Sequence, residues 1–387
     1  MNNLVGIHKK RSWRRHYLGI RTMPLKYTLL RTVPGLLGLR NGLVRPMSEA
    51  AKWLLPSYRR WSRNYQEFAA QMPHIRDYEG AKPSLWLPFV MDSMEPNIST
   101  AAMNSDPMGF RYTIGANDQR LSPHAKTEQP VSLFVGGSTA LGVGATSDQM
   151  TIPSILAQGS GEPWYNLGVR GCTIAQNLIH FMIFRPEIGK VRRIVLFAGW
   201  NEVNGFIMSP LFTRYYGAFH GFMQYFQIMN DGKVDISRQE ITFPKDWASL
   251  VQFSLDKEET RPLFLEHMAN TLDNWKFIAD GLDAELIFIM QPSSFCCPHD
   301  LTEQEQRWFE NKTNLAKLKR AVEPYTGWFA DALVAECQRL GISFRDCNKS
   351  FGKDLDRPLF IDPLHLTDQG NEEVVKIIDN VLTSGEN

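Results

Sequence analysis

From about residue 130 onward, short runs of β-branched and aromatic residues alternate with stretches whose apolar positions recur at helical spacing. Val131-Ser132-Leu133-Phe134-Val135 reads as a buried strand ending at Gly136-Gly137, and Thr151 to Gln158 as a helix. Trp164-Tyr165-Asn166-Leu167 is a second strand, Ile174 to Phe184 a helix, and Arg193 to Ala198 a third strand left through Gly199. A helical stretch from about Arg261 to Gly281 feeds the strand Glu285 to Met290. The helix Trp328 to Leu340, closed by Gly341, leads into the strand Ile342 to Asp346, and Asn371 to Leu382 forms the last helix. Strands that are apolar throughout must be covered on both faces, and parallel strands need long crossovers, which the helices supply. The pattern therefore predicts an α/β chain: a five-stranded parallel sheet inside a three-layer α/β/α sandwich. Such sheets bind ligands beyond the carboxyl ends of their strands, so the polar residues at those ends carry the functional question.

Upstream the texture changes. The first 90 or so residues read as short basic helices broken by prolines, with Ser48 to Leu55 resembling a capped helix start and Pro83, Pro88 and Pro96 marking irregular chain. The expected organisation is a basic, mainly helical N-terminal extension over 1–100 and a sheet-bearing domain over 101–387. That domain has an aromatic-rich insertion at about 206–260.

Charge sharpens this division. Residues 1–63 hold fourteen Lys and Arg against one acid, Glu49, so this segment carries +13 and, the whole chain being +1, the remainder −12. Three targets fit such an arm: the acidic body of the same chain, an anionic membrane surface, or another acidic partner. No nucleic-acid-binding motif accompanies the charge, so no nucleic-acid partner is expected. Hydrophobic residues at 43% and charged residues at 21% exclude a disordered or collagen-like chain. The apolar runs are far shorter than the roughly 20 residues that cross a bilayer. Pro24, Lys26, Arg31, Pro34 and Gly35 interrupt any signal-peptide core. The five cysteines (Cys172, Cys296, Cys297, Cys337, Cys347) lack metal-like spacing and are read as reduced thiols. The expectation is a cytoplasmic protein, membrane-peripheral if the arm binds lipid, with no metal or cofactor. The sequence does not set the oligomeric state.

Gly136-Gly137-Ser138-Thr139 follows the first strand directly. By itself this fits a tight turn, a phosphate loop or an accessible nucleophile, although no Gly-Lys-Ser/Thr follows as a nucleotide loop requires. Asp362-Pro363-Leu364-His365 narrows the choice. A serine needs a histidine to take its proton, the histidine needs a carboxylate to fix its tautomer, and one short loop can deliver both. Acyl transfer also needs donors for the oxyanion of the tetrahedral intermediate. Gly171, after the second strand, offers a backbone N–H or is simply a helix-entry turn. Asn201, after the third, offers an amide or is simply a loop cap.

The order Ser138, Gly171, Asn201, then Asp362-x-x-His365 resembles the SGNH, or GDSL-type, hydrolase family over roughly residues 130–385. The resemblance implies a flavodoxin-like sandwich and an acyl-enzyme mechanism on a small-molecule ester or thioester. Ser138 would be the nucleophile and, through its N–H, an oxyanion donor with Gly171 and Asn201; His365 would be the base and Asp362 its orienting carboxylate. The family's Gly-Asp-Ser reads Gly-Gly-Ser here, and its Gly-x-Asn-Asp reads Gly-Trp-Asn-Glu. Gly109-Phe110-Arg111 also resembles a segment found upstream of the serine in bacterial members, and is taken as the edge of the domain. The same triad serves acyltransferases that donate to a sugar, alcohol or amine, and the fold alone also serves non-catalytic binding proteins. Trp200, Phe206 and Met208, beside Asn201, are candidate substrate contacts, and the insertion they open is either a lid or acyl-chain pocket or a helix packed on the core. His299 could touch substrate or simply belong to its loop, and Cys172 fits helix-entry packing.

Overall fold

Segments apolar at every position fold into strands that are buried on both faces. In the computed structural model, which describes residues 93–208, 211–213, 251–253, 257–310 and 315–384 with 70, 72–75 and 90, five strands form one sheet, four of them buried along most of their length and the fifth, Ser343–Asp346, half-buried at the edge. The chain divides into two compact units, 1–68 with 311–313 and 69–310 with 314–387, and the described residues belong to the second. The expectations for the basic arm fall outside the described residues. So does most of the aromatic-rich insertion.

The element order is β1 (Val131–Gly136), α1 (Ser138–Leu141), α2 (Ile152–Ser160), β2 (Trp164–Gly168), α3 (Ile174–Phe184), β3 (Val191–Ala198), α4 (Trp200–Met208), α5 (Lys257–Gly281), β4 (Glu285–Met290), α6 (Glu303–Glu310), α7 (Leu315–Leu340), β5 (Ser343–Asp346) and α8 (Asp368–Ser384). The strands run parallel in the order β2-β1-β3-β4-β5. This is the flavodoxin-like doubly wound arrangement, whose switch point lies between β1 and β3. Two short antiparallel pairs stand apart from the sheet: Thr113–Ile114 with Arg120–Leu121, and Leu211–Thr213 with Val251–Phe253. Two or three residues are too few to show a period, so neither pair was expected from the sequence.

Alternation along the strands divides the core in two. On one face Leu133, Val135, Ile194, Leu196, Leu286 and Phe288 pack with Phe181 of α3, Trp275 of α5 and Phe329 of α7. On the other, Phe134 and Phe197 meet with ring centroids 5.4 Å apart, and α2 lies against α8. Trp275, fully buried, donates its indole N–H to the Ile174 carbonyl at 3.0 Å, so this large core side chain leaves no polar atom stranded. Helix starts are where sequence and structure differ most. α7 begins at Leu315 and α5 at Lys257, ahead of the expected Trp328 and Arg261, and α7 runs through Pro324, where a sequence reading stops. Among the described residues no helix is long and apolar enough to cross a membrane.

Candidate active site

β1 delivers the chain to a sharp turn, and Ser138 is the first residue of the single-turn helix α1 that follows. Gly137 at the turn has ordinary extended angles (φ −84°, ψ −153°), so its backbone does not demand glycine. Its surroundings do: a Cβ there would stand 2.1 Å from Nδ2 of Asn201. Ser138 is half-buried at the switch point of the sheet.

The opposing loop is closed by a bridge between Phe360 and Leu366 and by the Ile361 N–H donating to the His365 carbonyl at 2.9 Å. Within it, Asp362 Oδ1 accepts the backbone N–H groups of Leu364 (3.0 Å) and His365 (2.9 Å), a turn that brings carboxylate and imidazole to the same side. His365 Nδ1 lies 3.0 and 2.8 Å from Asp362 Oδ1 and Oδ2, and its Nε2 lies 2.7 Å from Ser138 Oγ. A carboxylate only accepts, so Nδ1 carries the proton and Nε2 is left to accept from the serine hydroxyl. Side-chain exposures of 23% for His365 and 18% for Asp362 leave the pair shielded but reachable from solvent.

Neighbouring elements grip this loop. Thr139 of α1 donates its hydroxyl to the Leu364 carbonyl at 3.3 Å, and Gln291, beyond β4, donates to Thr139 Oγ1 at 3.3 Å. The Ser294 N–H donates to the Pro363 carbonyl at 3.0 Å, and Asp368 at the start of α8 accepts the N–H of Thr146 at 2.9 Å.

Gly171 has φ +69°, a left-handed conformation that glycine adopts without strain. Asn201, half-buried near the start of α4, donates Nδ2 to the Cys172 carbonyl at 2.7 Å, which holds its amide against the Gly137–Ser138 turn. The backbone N–H groups of Ser138 and Gly171 have no acceptor among the described residues. Ser138, His365 and Asp362 thus stand in one hydrogen-bonded line, with the Asn201 amide beside the serine turn.

Other candidates land elsewhere. Trp200 and Phe206 are each 1% exposed and belong to the core, Trp200 donating its indole N–H to the Gln291 carbonyl at 3.1 Å and Phe206 stacking on Phe264 at 4.6 Å. Neither presents a surface to a bound molecule, because Trp200, Val203 and Phe206 form the inward stripe of α4. The side chain of Met208 lies outside the described residues. His299 is fully buried at 2.9 Å from Glu305, away from solvent. None of the five cysteines is in a disulfide; burial pushes Cys297 up to about 11 and Cys337 up to about 12, so both stay thiols.

The upstream Gly-Phe-Arg segment proves to be part of the site's support. Arg111 is wholly buried, pairs with Asp148 at 2.8 Å, and donates to the carbonyls of Leu141 (3.1 Å), Gly142 (2.9 Å) and Ala102 (2.6 Å). A cation at the carboxyl end of α1 satisfies carbonyls that a one-turn helix leaves open. Among the described residues no cluster of His, Cys, Asp and Glu is placed to hold a metal ion.

No protein-family model matches the sequence, and no curated protein matches it. Solved structures do. A GDSL-like lipase from Bacteroides thetaiotaomicron is 13% identical, with 68% of this chain and 95% of that one covered at a TM-score of 0.37. A member of the lipolytic G-D-S-L family from Veillonella parvula is 10% identical, with 66% and 99% covered at 0.35. An acetylxylan esterase from Geobacillus stearothermophilus is 11% identical, with 70% and 96% covered at 0.34. Likeness at this level carries no weight for the chemistry, which rests on the distances above.

Proposed function

We propose that the chain is a serine hydrolase that cleaves a carboxylic ester or thioester through an acyl-enzyme. The observation that carries this reading is the unbroken line from Asp362 through His365 to Ser138, with 2.8 Å at Nδ1 and 2.7 Å at Nε2. Ser138 Oγ attacks the substrate carbonyl carbon while His365 Nε2 takes the hydroxyl proton, and Asp362 stabilises the imidazolium. The negative charge moves to the former carbonyl oxygen, where the N–H groups of Ser138 and Gly171 and the Asn201 amide receive it. Collapse breaks the bond to the leaving alkoxide or thiolate, which His365 protonates, and Ser138 is left acylated. Water then attacks the acyl carbon with His365 as base, releasing the acid and restoring the serine.

A fluorophosphonate probe tests this directly. Wild type should take up one label per chain and Ser138→Ala none; a label that survives the substitution removes Ser138 from the reading. Product analysis with and without an added alcohol, sugar or amine then decides whether water or such a group accepts the acyl unit.

A further inference from the structure

The two side elements of the proposed oxyanion site come from strands that are not neighbours. β2, which leads to Gly171, and β3, which leads to Asn201, flank β1 on opposite sides, so no ladder hydrogen bond sets the spacing between their outgoing loops. Glu202 spans that gap. The residue is 4% exposed; its Oε1 accepts the Ile174 N–H at 2.7 Å and its Oε2 accepts the Gly199 N–H at 2.9 Å. Ile174 lies three residues after Gly171, and Gly199 two before Asn201.

We infer that Glu202 is a positioning residue, whose carboxylate clamps the loop after β2 to the turn into α4 and so sets where Gly171 and Asn201 stand over Ser138. Both oxygens act as acceptors, a task that the ionised group performs best. Burial pushes the Glu202 pKa up, while the N–H groups of Ile174 and Gly199 work against that shift. The site is the N-terminus of α3, where the helix dipole favours an anion. Thr173 and Gln176 form a capping box there, so the end of α3 is occupied by the chain's own groups. The Asn201 Nδ2 bond to the Cys172 carbonyl also ties these loops, and that amide is itself a proposed donor. Slack at Glu202 therefore moves the catalytic groups directly. Glutamine at 202 keeps one acceptor but turns an NH2 toward one of the two N–H groups, opening one side of the clamp with little change in volume.

The inference rests on the proposed roles of Gly171 and Asn201, and one experiment separates the two. Steady-state hydrolysis of p-nitrophenyl acetate is measured for wild type, N201A, E202Q and N201A/E202Q, each checked for folding by thermal unfolding. E202Q is expected to lower kcat about tenfold or more with KM changed by less than about twofold, because small misplacements of transition-state donors act on kcat. In the N201A background the same substitution is expected to cost a smaller factor, since one of the groups it misplaces is already gone. Equal factors in both backgrounds, or an E202Q enzyme that melts earlier yet turns over at the wild-type rate, would overturn the positioning role while leaving the oxyanion reading intact. A wild-type rate in N201A removes the oxyanion reading, and an inactive, unlabelled wild type removes the proposed function; the inference falls with either. If E202Q does not fold, E202D takes its place: it keeps the charge, is one methylene shorter, reaches a single loop and is held to the same kcat and KM outcome.

Discussion

Replacing Gly137 with alanine isolates the contact at the heart of the site. The glycine's angles are open to any residue, so the substitution adds one methyl group and no backbone strain. That methyl would sit 2.1 Å from Asn201 Nδ2, and 3.3 Å from the Cys172 carbonyl oxygen. The first contact cannot persist, and the cheaper partner to move is the end of the asparagine side chain. Asn201 then gives up its 2.7 Å bond to Cys172, a net loss of about 1 kcal/mol in stability. Turnover should suffer more. Losing one oxyanion donor costs about 2.7 to 4 kcal/mol of transition-state stabilisation, or roughly a hundredfold or more in kcat. The expected variant is therefore folded, slightly less stable, binds a small ester with nearly unchanged KM and turns it over very slowly. Urea denaturation and steady-state kinetics on the same preparation separate the two effects. The same change made in Asn201→Ala should add little, because the displaced amide is already absent. A Gly137→Ala enzyme with wild-type kcat would refute the reasoning, showing that Asn201 can move without consequence for the chemistry.

Asp362→Asn should drop kcat by about 10³ to 10⁴, as an amide in place of the carboxylate favours the wrong imidazole tautomer; a loss below tenfold would mean that His365 is oriented by something else. Arg111→Met should destabilise the fold by about 3 to 5 kcal/mol in urea melts, because Asp148 is left buried without its cation, and Arg111→Met/Asp148→Asn should recover part of the loss. Glu305→Gln tests the buried His299 pair through pH. Burial works against the charge on both residues; the hydrogen bond and charge of Glu305, helped by Gly352 and Asp300, together leave His299 raised above its ordinary 6.5, and the His299 bond with the N–H groups of Thr302, Phe360 and Leu359 together leave Glu305 lowered below its ordinary 4.5. The histidine contribution is complete below 6.5 and fades as pH rises through the raised value; the glutamate contribution is complete above 4.5 and fades as pH falls through the lowered one. The stability gap between wild type and Glu305→Gln should thus be widest between those two values in thermal melts across pH, and a gap that grows steadily toward alkaline pH would contradict the pairing.

Much of this was visible in the residues. β4 is apolar from Leu286 to Met290 and could be placed from that run alone, and Asp362 and His365 could be paired because one tight loop carries both. Arg111 was seen only as a family-like segment, since its partners Leu141 and Gly142 lie 30 and 31 positions away and nothing local marks a guanidinium that caps a helix. Glu305 was hidden for the same reason: its acceptor role toward the N–H groups of Leu359 and Phe360 exists only after the chain returns. Trp200 and Phe206 misled because an aromatic near an asparagine that is a candidate oxyanion donor looks like a pocket wall. Their spacing of three with Val203 between them places them instead on the buried side of α4, with Asn201 next to that stripe.

Ser138 and His365 stand 227 positions apart along the chain. At ribosomal speeds of roughly 5 to 20 residues per second, the serine leaves the ribosome's catalytic centre about 11 to 45 s before the histidine proposed as its base is made. Throughout that interval Ser138 is an ordinary alcohol on a growing chain, inert toward the acyl donors around it. On the proposed function, any product of interrupted synthesis that stops short of the last loop carries the serine without its base, so the order of manufacture itself delays reactivity until the loop of Asp362 and His365 has been made.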